Sequence, residues 1–154
     1  MRNSYTFVFA CALVAGCGSA PSSESAVASS LTAATYQFGS GVGSNKCLDS
    51  AAAGTSDGTL VQEWDCNGTV AQAFRVDDLG GGWSRLVNPN SGKCVDVSGA
   101  GTANGTQIQL WDCNGSGAQS FRIDDAGAGA VTIVNSNSGK CVDVNAQGTA
   151  DGTK

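Results

Sequence analysis

Cys47, Cys94 and Cys141 stand 47 residues apart, and the same interval separates Trp64 from Trp111, Cys66 from Cys113 and Phe74 from Phe121. An ungapped period of this length constrains the fold more than any other feature, because each unit must fold alike and bury its apolar face against its own copies. Unit one holds Lys46-Cys47-Leu48-Asp49, then Gln62-Glu63-Trp64-Asp65-Cys66-Asn67-Gly68, then Gln72-Ala73-Phe74-Arg75. Unit two repeats this as Lys93-Cys94-Val95-Asp96, Gln109-Leu110-Trp111-Asp112-Cys113-Asn114-Gly115 and Gln119-Ser120-Phe121-Arg122. Unit three opens with Lys140-Cys141-Val142-Asp143 and reaches Gly152-Thr153; Lys154 aligns with Gln107, so a third Trp, Cys and Phe at this period fall beyond it.

Within a unit the apolar spacing is that of strands. Arg85-Leu86-Val87, Cys94 to Val97, Gln107 to Trp111 and Ser120 to Ile123 alternate over short runs, and turn formers such as Asn90-Ser91-Gly92 and Asn114-Gly115 lie between them. Four strands cannot bury both faces of their own sheet. Three units about a pseudo-threefold axis close a barrel and remove exposed edges. The repeat therefore predicts an all-β fold. Helix is disfavoured, because Gly, Ser, Thr, Asn and Asp fill the stretches between apolar runs and no long 3.6-period stripe occurs. WD40 blades have a similar length, but two and a half blades make no propeller and the Gly-His signature is absent.

The ordered set of motifs, spanning about Tyr36 to Lys154, resembles the ricin B-type lectins, the β-trefoil carbohydrate-binding modules (family 13-like). The likeness rests on Gly-Lys-Cys-Val-Asp-Val at 92–97 and 139–144, on Gln-x-Trp-Asp-Cys-Asn-Gly at 62–68 and 109–115, and on the Gln-x-Phe triplets, variants of that family's Gln-x-Trp. It implies a β-trefoil over residues 35–154, with units at about 35–80, 81–127 and an incomplete 128–154. It also implies that the two cysteines within a unit pair, Cys47 with Cys66 and Cys94 with Cys113, which leaves Cys141 over. Each bridge closes a loop of about 20 residues, worth roughly 3 kcal/mol in the chain-entropy model. A thiolate metal cluster is the competing use of these cysteines, but they are far apart with no CxxC spacing, and no metal or other cofactor is expected.

A sugar presents hydroxyls that donate and accept hydrogen bonds and a face of C–H groups, so a site needs a fixed carboxylate, amides and an exposed ring. The resemblance assigns Asp49 as acceptor, Trp64 as platform, and Gln62 and Gln72 as orienting amides in unit one. Asp96, Trp111, Gln109 and Gln119 take those roles in unit two, and Asp143 is the acceptor of an incomplete third site. The bland readings are a turn-bonding role for the aspartates, a core role for the indoles and plain surface for Gln62 and Gln109. Alternation favours the platform, since it puts Ile108 and Leu110 on the face opposite Trp111, so that one of the two faces looks outward. Phe74 and Phe121 read as core, and Trp83, aligned with Tyr36 and Ala130, as strand packing. Two departures weaken the sites: the residue before the second Gln, often Asn in sugar-binding members, is Ala71 and Ala118, and unit one opens with Gly39-Ser40-Gly41-Val42-Gly43.

Residues 1–16 read as a leader, with Arg2 early, an apolar core near Phe7 to Val14 and Leu13-Val14-Ala15-Gly16 before Cys17. The ending resembles the bacterial lipobox, which implies lipidation of Cys17; the alternative is an ordinary signal cleaved in the Ala/Ser stretch beyond Gly18. Residues 17–34 are Ser- and Ala-rich with no apolar period and read as a flexible tether. The expected setting is export with a lipid anchor, at the outer membrane or cell surface if the source is Gram-negative, or else secretion.

Charge and composition exclude other classes. Thirteen Asp and Glu against eight Lys and Arg leave no basic surface for a phosphate backbone, so nucleic acid is not an expected partner. The chain has no His, which removes Ser-His and Cys-His hydrolases, HExxH metal enzymes and the usual zinc fingers. The paired carboxylates Asp77-Asp78 and Asp124-Asp125 precede Gly-rich turns, whereas glycosidase acids need a separation of about 5–10 Å across a cleft. The expectation is a non-catalytic domain that binds a polysaccharide or glycan. The alternatives are a binding module of a larger secreted glycoside hydrolase and a structural or partner-binding trefoil.

Overall fold

The structure, a computed structural model, describes residues 3–6 and 34–154. The expected leader and tether fall almost wholly outside these residues, Cys17 included. The strands are β1 (Asn3–Thr6), β2 (Thr35–Gly39), β3 (Lys46–Ser50), β4 (Thr59–Asp65), β5 (Phe74–Gly80), β6 (Trp83–Asn88), β7 (Lys93–Val97), β8 (Ile108–Trp111), β9 (Phe121–Gly127) and β10 (Ala130–Asn135). Single 3₁₀ turns at Ala51–Ala53, Val70–Gln72, Ser98–Ala100, Gly117–Gln119 and Asn145–Gln147 are the sole helical elements among the described residues. The fold is all-β.

The pairing repeats with the sequence period. In each full unit the second and third strands form a hairpin, Cys47 opposite Trp64 and Cys94 opposite Trp111. The first strand pairs with the second, at Gly39–Cys47 in unit one and Val87–Cys94 in unit two. The fourth strand lies between the first strand of its own unit and the first strand of the next: β5 joins β2 to β6, and β9 joins β6 to β10. Unit three keeps the pattern as far as it runs. Its bridge Val134–Cys141 matches Val87–Cys94, and its bridge Thr153–Glu63 matches Thr59–Leu110. The three units are thus related by rotation and form a β-trefoil.

β1 falls outside the three units: it runs parallel to β2, from Asn3 opposite Tyr36 to Thr6 opposite Gly39, and lies against β10. A parallel partner of this kind offers donors and acceptors to the edge N–H and C=O groups of β2.

Alternation places the core. Phe74 and Val76 of β5, Phe121 and Ile123 of β9, and Leu86, Val95, Leu110 and Ile133 point inward and are fully or almost fully buried. Phe38 and Phe74 pack with ring centroids 6.4 Å apart. Cys47–Cys66 and Cys94–Cys113 are bonded, each with Cα atoms 5.1 Å apart, as expected; Cys141 stands outside both bridges.

Candidate functional site

Residues opposite each other in an antiparallel ladder share a face, and in the β3–β4 hairpin Cys47 faces Trp64 while Asp49 faces Gln62. Leu48 and Glu63 take the other face, so disulfide, carboxylate, amide and indole all project outward. The β7–β8 hairpin repeats this with Cys94, Trp111, Asp96 and Gln109. Trp64 is 39% exposed and Trp111 41%, which excludes the core reading. Ile108 and Leu110 turn inward as alternation predicts.

Asp49 and Asp96 are nonetheless buried, because the 3₁₀ turns at Val70–Gln72 and Gly117–Gln119 fold over the second strand of their own unit. Gln62 Nε2 donates to Asp49 Oδ1 at 3.1 Å, and Gln109 Nε2 donates to Asp96 Oδ1 at 3.1 Å. Gln119 Nε2 donates to Asp96 Oδ2 at 3.0 Å and to the Asp112 carbonyl at 2.9 Å, while its Oε1 accepts from Asn114 N–H at 2.8 Å. Gln72 Nε2 donates to the Asp65 carbonyl at 2.8 Å, and its Oε1 accepts from Asn67 N–H at 2.9 Å, Gly68 N–H at 3.2 Å and Gln37 Nε2 at 2.8 Å. Gln72 and Gln119 therefore orient the carboxylates and the Cys-Asn-Gly turns from behind; they are fully buried and do not reach the open side. Gly68 and Gly115 permit those turns, with φ of 67° and 70°, in a region that side chains disfavour.

Burial pushes the Asp49 carboxyl above its ordinary value, the hydrogen bonds from Gln62 and Gln72 pull it back, and the charge of Asp151 adds to the rise. A carboxylate has about four acceptor positions, so Gln62 and Gln72 leave room for hydroxyls from outside.

Asp143, expected as the acceptor of an incomplete third site, is placed differently from Asp49 and Asp96. It is exposed, its Oδ1 accepts from the Val144 N–H at 2.8 Å, and neither Gln nor Trp joins it among the described residues. This is the turn role that competes with binding for such aspartates.

Sequence reasoning missed a carboxylate that each site borrows from the preceding unit. Asp57 Oδ1 lies 2.7 Å from Lys93 Nζ and accepts from the Asp112 N–H at 2.8 Å, which fixes the strand end beside Trp111. Asp151 does the same for Lys46 Nζ at 2.6 Å and the Asp65 N–H at 2.8 Å, beside Trp64. The Lys93 ammonium holds Asp57, and the Lys46 ammonium holds Asp151, below the usual carboxylate range. Lys46, Lys93 and Lys140, like Asp57, Asn104 and Asp151, are spaced by the period, and that spacing was the available signal. A second missed feature is Asn88, whose Nδ2 donates to the carbonyls of Val70 and Ala73 at 3.0 Å each; Asn135 does the same for Gly117 at 2.9 Å and Ser120 at 3.2 Å.

The paired carboxylates are otherwise engaged. Asp77 binds Arg75 and Arg85, Asp124 binds Arg122, and Asp78 and Asp125 accept from Gly80 and Gly127 N–H at 2.8 Å. Trp83 packs on its strand, with the Arg122 guanidinium 5.8 Å from its ring centroid.

The family model described as ricin-type β-trefoil lectin domain-like matches residues 27–111 and 86–154. Among solved structures, the designed threefold symmetric protein ThreeFoil is 38% identical with a TM-score of 0.69, over 70% of this chain and 77% of that one. An exo-β-1,3-galactanase from Clostridium thermocellum is 30% identical with a TM-score of 0.68, over 70% of this chain and 23% of that one, so this chain spans about a quarter of the enzyme. The Rhizoctonia solani agglutinin, at 21% identity and a TM-score of 0.63 over 73% of this chain and 76% of that one, shares the fold.

Proposed function

The chain belongs to the ricin-type β-trefoil lectin-like domain family, and on that premise we propose that its two complete units bind carbohydrate without catalysing its breakdown. The observation that carries this is the pairing, on the outer face of each hairpin, of an exposed indole with a sunken carboxyl held by two glutamines. The indole takes the C–H face of a sugar ring, and Asp49 or Asp96 accepts from adjacent hydroxyls. Gln62 and Gln109 fix the rotamer of the carboxyl and stand at the edge of the site.

Each site is weak. Covering about 50 Å² of apolar ring contributes roughly 1.3 kcal/mol, and charge-assisted hydrogen bonds add about 1.5–3 kcal/mol each before ordering costs. The sum places one site in the millimolar to high micromolar range, since ~1 mM corresponds to about 4 kcal/mol. Ala71 and Ala118 supply no amide where other sugar binders carry one, which acts in the same direction. Two sites on one rigid domain compensate when the target is a polymer.

The likeness to part of a galactanase makes galactose-containing polysaccharide the first ligand to test, and it supports a second reading in which this domain serves as the binding module of a larger hydrolase. Export on a lipidated Cys17, with the Ser/Ala-rich stretch as a tether, fits a domain that holds a cell surface to polysaccharide. A glycan array and polysaccharide pull-down with the full chain should give signals that the Asp49→Ala, Asp96→Ala double variant loses while keeping its melting transition. Absence of any glycan signal from a folded, disulfide-intact chain refutes sugar binding and leaves a partner-binding trefoil.

A further inference from the structure

The clamps between units occupy equivalent places, and one differs chemically. Asp57 holds Lys93 and Asp151 holds Lys46, whereas unit two carries Asn104, whose Oδ1 accepts from Lys140 Nζ. Asn104 is followed by Gly105. We propose that Asn104 is a site of self-promoted deamidation, converted in the folded protein through a succinimide to an acid, with Lys140 assisting the attack.

Three features of the turn converge on this. Asn104 is exposed, and Gly105, with φ of 78°, carries no Cβ of its own to crowd the attack of its nitrogen on the amide carbon. The equivalent Gly58 N–H donates to Leu110 O at 2.9 Å and Gly152 N–H to Glu63 O at 2.8 Å, whereas the Gly105 N–H has no partner among the described residues. The Lys140 ammonium on Oδ1 draws electrons from Cγ and stabilises the oxyanion that forms there, as a preorganised donor does at any acyl centre.

The chemistry balances with solvent water alone. Gly105 N loses its proton and bonds to Asn104 Cγ, the negative charge resting on Oδ1 against Lys140. The Cγ–Nδ2 bond breaks and the nitrogen leaves as ammonia, taking up the proton. Water then adds to one of the two ring carbonyls and opens the succinimide to aspartate or isoaspartate. The aspartate product gives unit two the carboxylate that its neighbours already present to their lysines.

The chain contains its own controls. Asn67-Gly68 and Asn114-Gly115 are the same dipeptide, but Asn67 Oδ1 accepts from Thr69 N–H at 3.0 Å and Asn114 Oδ1 from Ser116 N–H at 2.9 Å, each a backbone donor and no cation. The Gly68 N–H is also committed to Gln72.

The test follows conversion at the three asparagines by peptide mass spectrometry, in mildly alkaline buffer, for the full chain with disulfides intact and for the reduced, denatured chain. The expected result is that Asn104 converts several-fold faster than Asn67 and Asn114 in the folded chain, while the three rates converge on denaturation. Lys140→Met should slow Asn104 several-fold in the folded chain alone, and Lys140→Arg should retain most of the rate. Equal rates in the folded chain overturn the proposal, as does a folded Lys140→Met variant with an unchanged rate. If that variant does not fold, the comparison of native with denatured wild-type chain decides.

Discussion

Asp49 meets two opposed demands. It is sunken where two glutamines hold it, and the proposed acceptance of sugar hydroxyls calls for a charge that burial works against. Asp151 behaves oppositely, because Lys46 holds its carboxyl down. A raised folded pKa means that Asp49 takes up its proton at a higher pH than an unfolded aspartate. A depressed one means that the Asp151 clamp stabilises the fold above the unfolded value and is lost as pH falls through the folded value. Acidification is therefore expected to silence site one while the domain stays folded, which a binding titration run beside near-ultraviolet circular dichroism checks; simultaneous loss of both signals contradicts it. The borrowed carboxylates predict crossed phenotypes. Asp57→Ala should weaken site two and spare site one, and Asp151→Ala the reverse, read as ligand-induced quenching of Trp111 and Trp64 in single-Trp-site variants. Asp49, Gln62 and Trp64 were singled out by the resemblance to the lectin motif, and alternation along β4 adds that Gln62 and Trp64 share a face. The buried station of Gln72 was not, since it depends on a turn that folds back over β3. Nor were Asp57 and Asp151, whose partners lie in another unit; the lysines and acids recur with the period, but no local pattern joins them.

At the scale of elements, the hairpins are dictated by alternation and the loops are not. Leu110 between Gln109 and Trp111 fixes which way β8 faces, whereas the 3₁₀ turn before each Phe takes its position from an asparagine of the following unit. Asn88 is fully buried, donates to two carbonyls of the turn that covers Asp49, and accepts from Ser91 N–H at 3.1 Å. Asn88→Ala removes the side-chain donor from both carbonyls and leaves Val70 O with the Ala73 N–H alone, for an expected loss of about 1–3 kcal/mol. Because the turn belongs to unit one, the variant should also weaken site one and leave site two unchanged. Denaturant unfolding combined with site-resolved binding checks both halves; a stability loss with equal weakening of the two sites shows that the clamp acts on the fold generally. The sequence marks Asn90-Ser91-Gly92 as a turn, but Asn88 sits inside a strand and shows its role only once the turn of unit one is seen against it.

For the whole molecule, rotation decides what must be present. β5 and β9 each seal a seam between units, and at the seam between β10 and β2 the strand β1 pairs with β2 in parallel orientation. The threefold plan was legible from the period alone, but the use of Asn3–Thr6 was not, because those residues belong to no unit. The same residues read as a leader to be removed and pair as a strand on the edge of β2. A protein spanning residues 17–154, the form that lipidation at Cys17 would leave, loses that strand and presents the edge of β2 and the flank of β10. Unpaired edges of this kind recruit strands from other chains. Such a protein is expected to melt at a lower temperature than the 154-residue chain and to associate as its concentration rises. Light scattering on a size-exclusion column would show it, as would recovery of the monomer on adding a peptide with the β9 sequence, whose Phe-Arg-Ile core matches the fourth-strand pattern of both complete units. A monodisperse monomer with an unchanged melt means that residues 3–6 do not hold the seam, and that β2 and β10 are stable with the edge open.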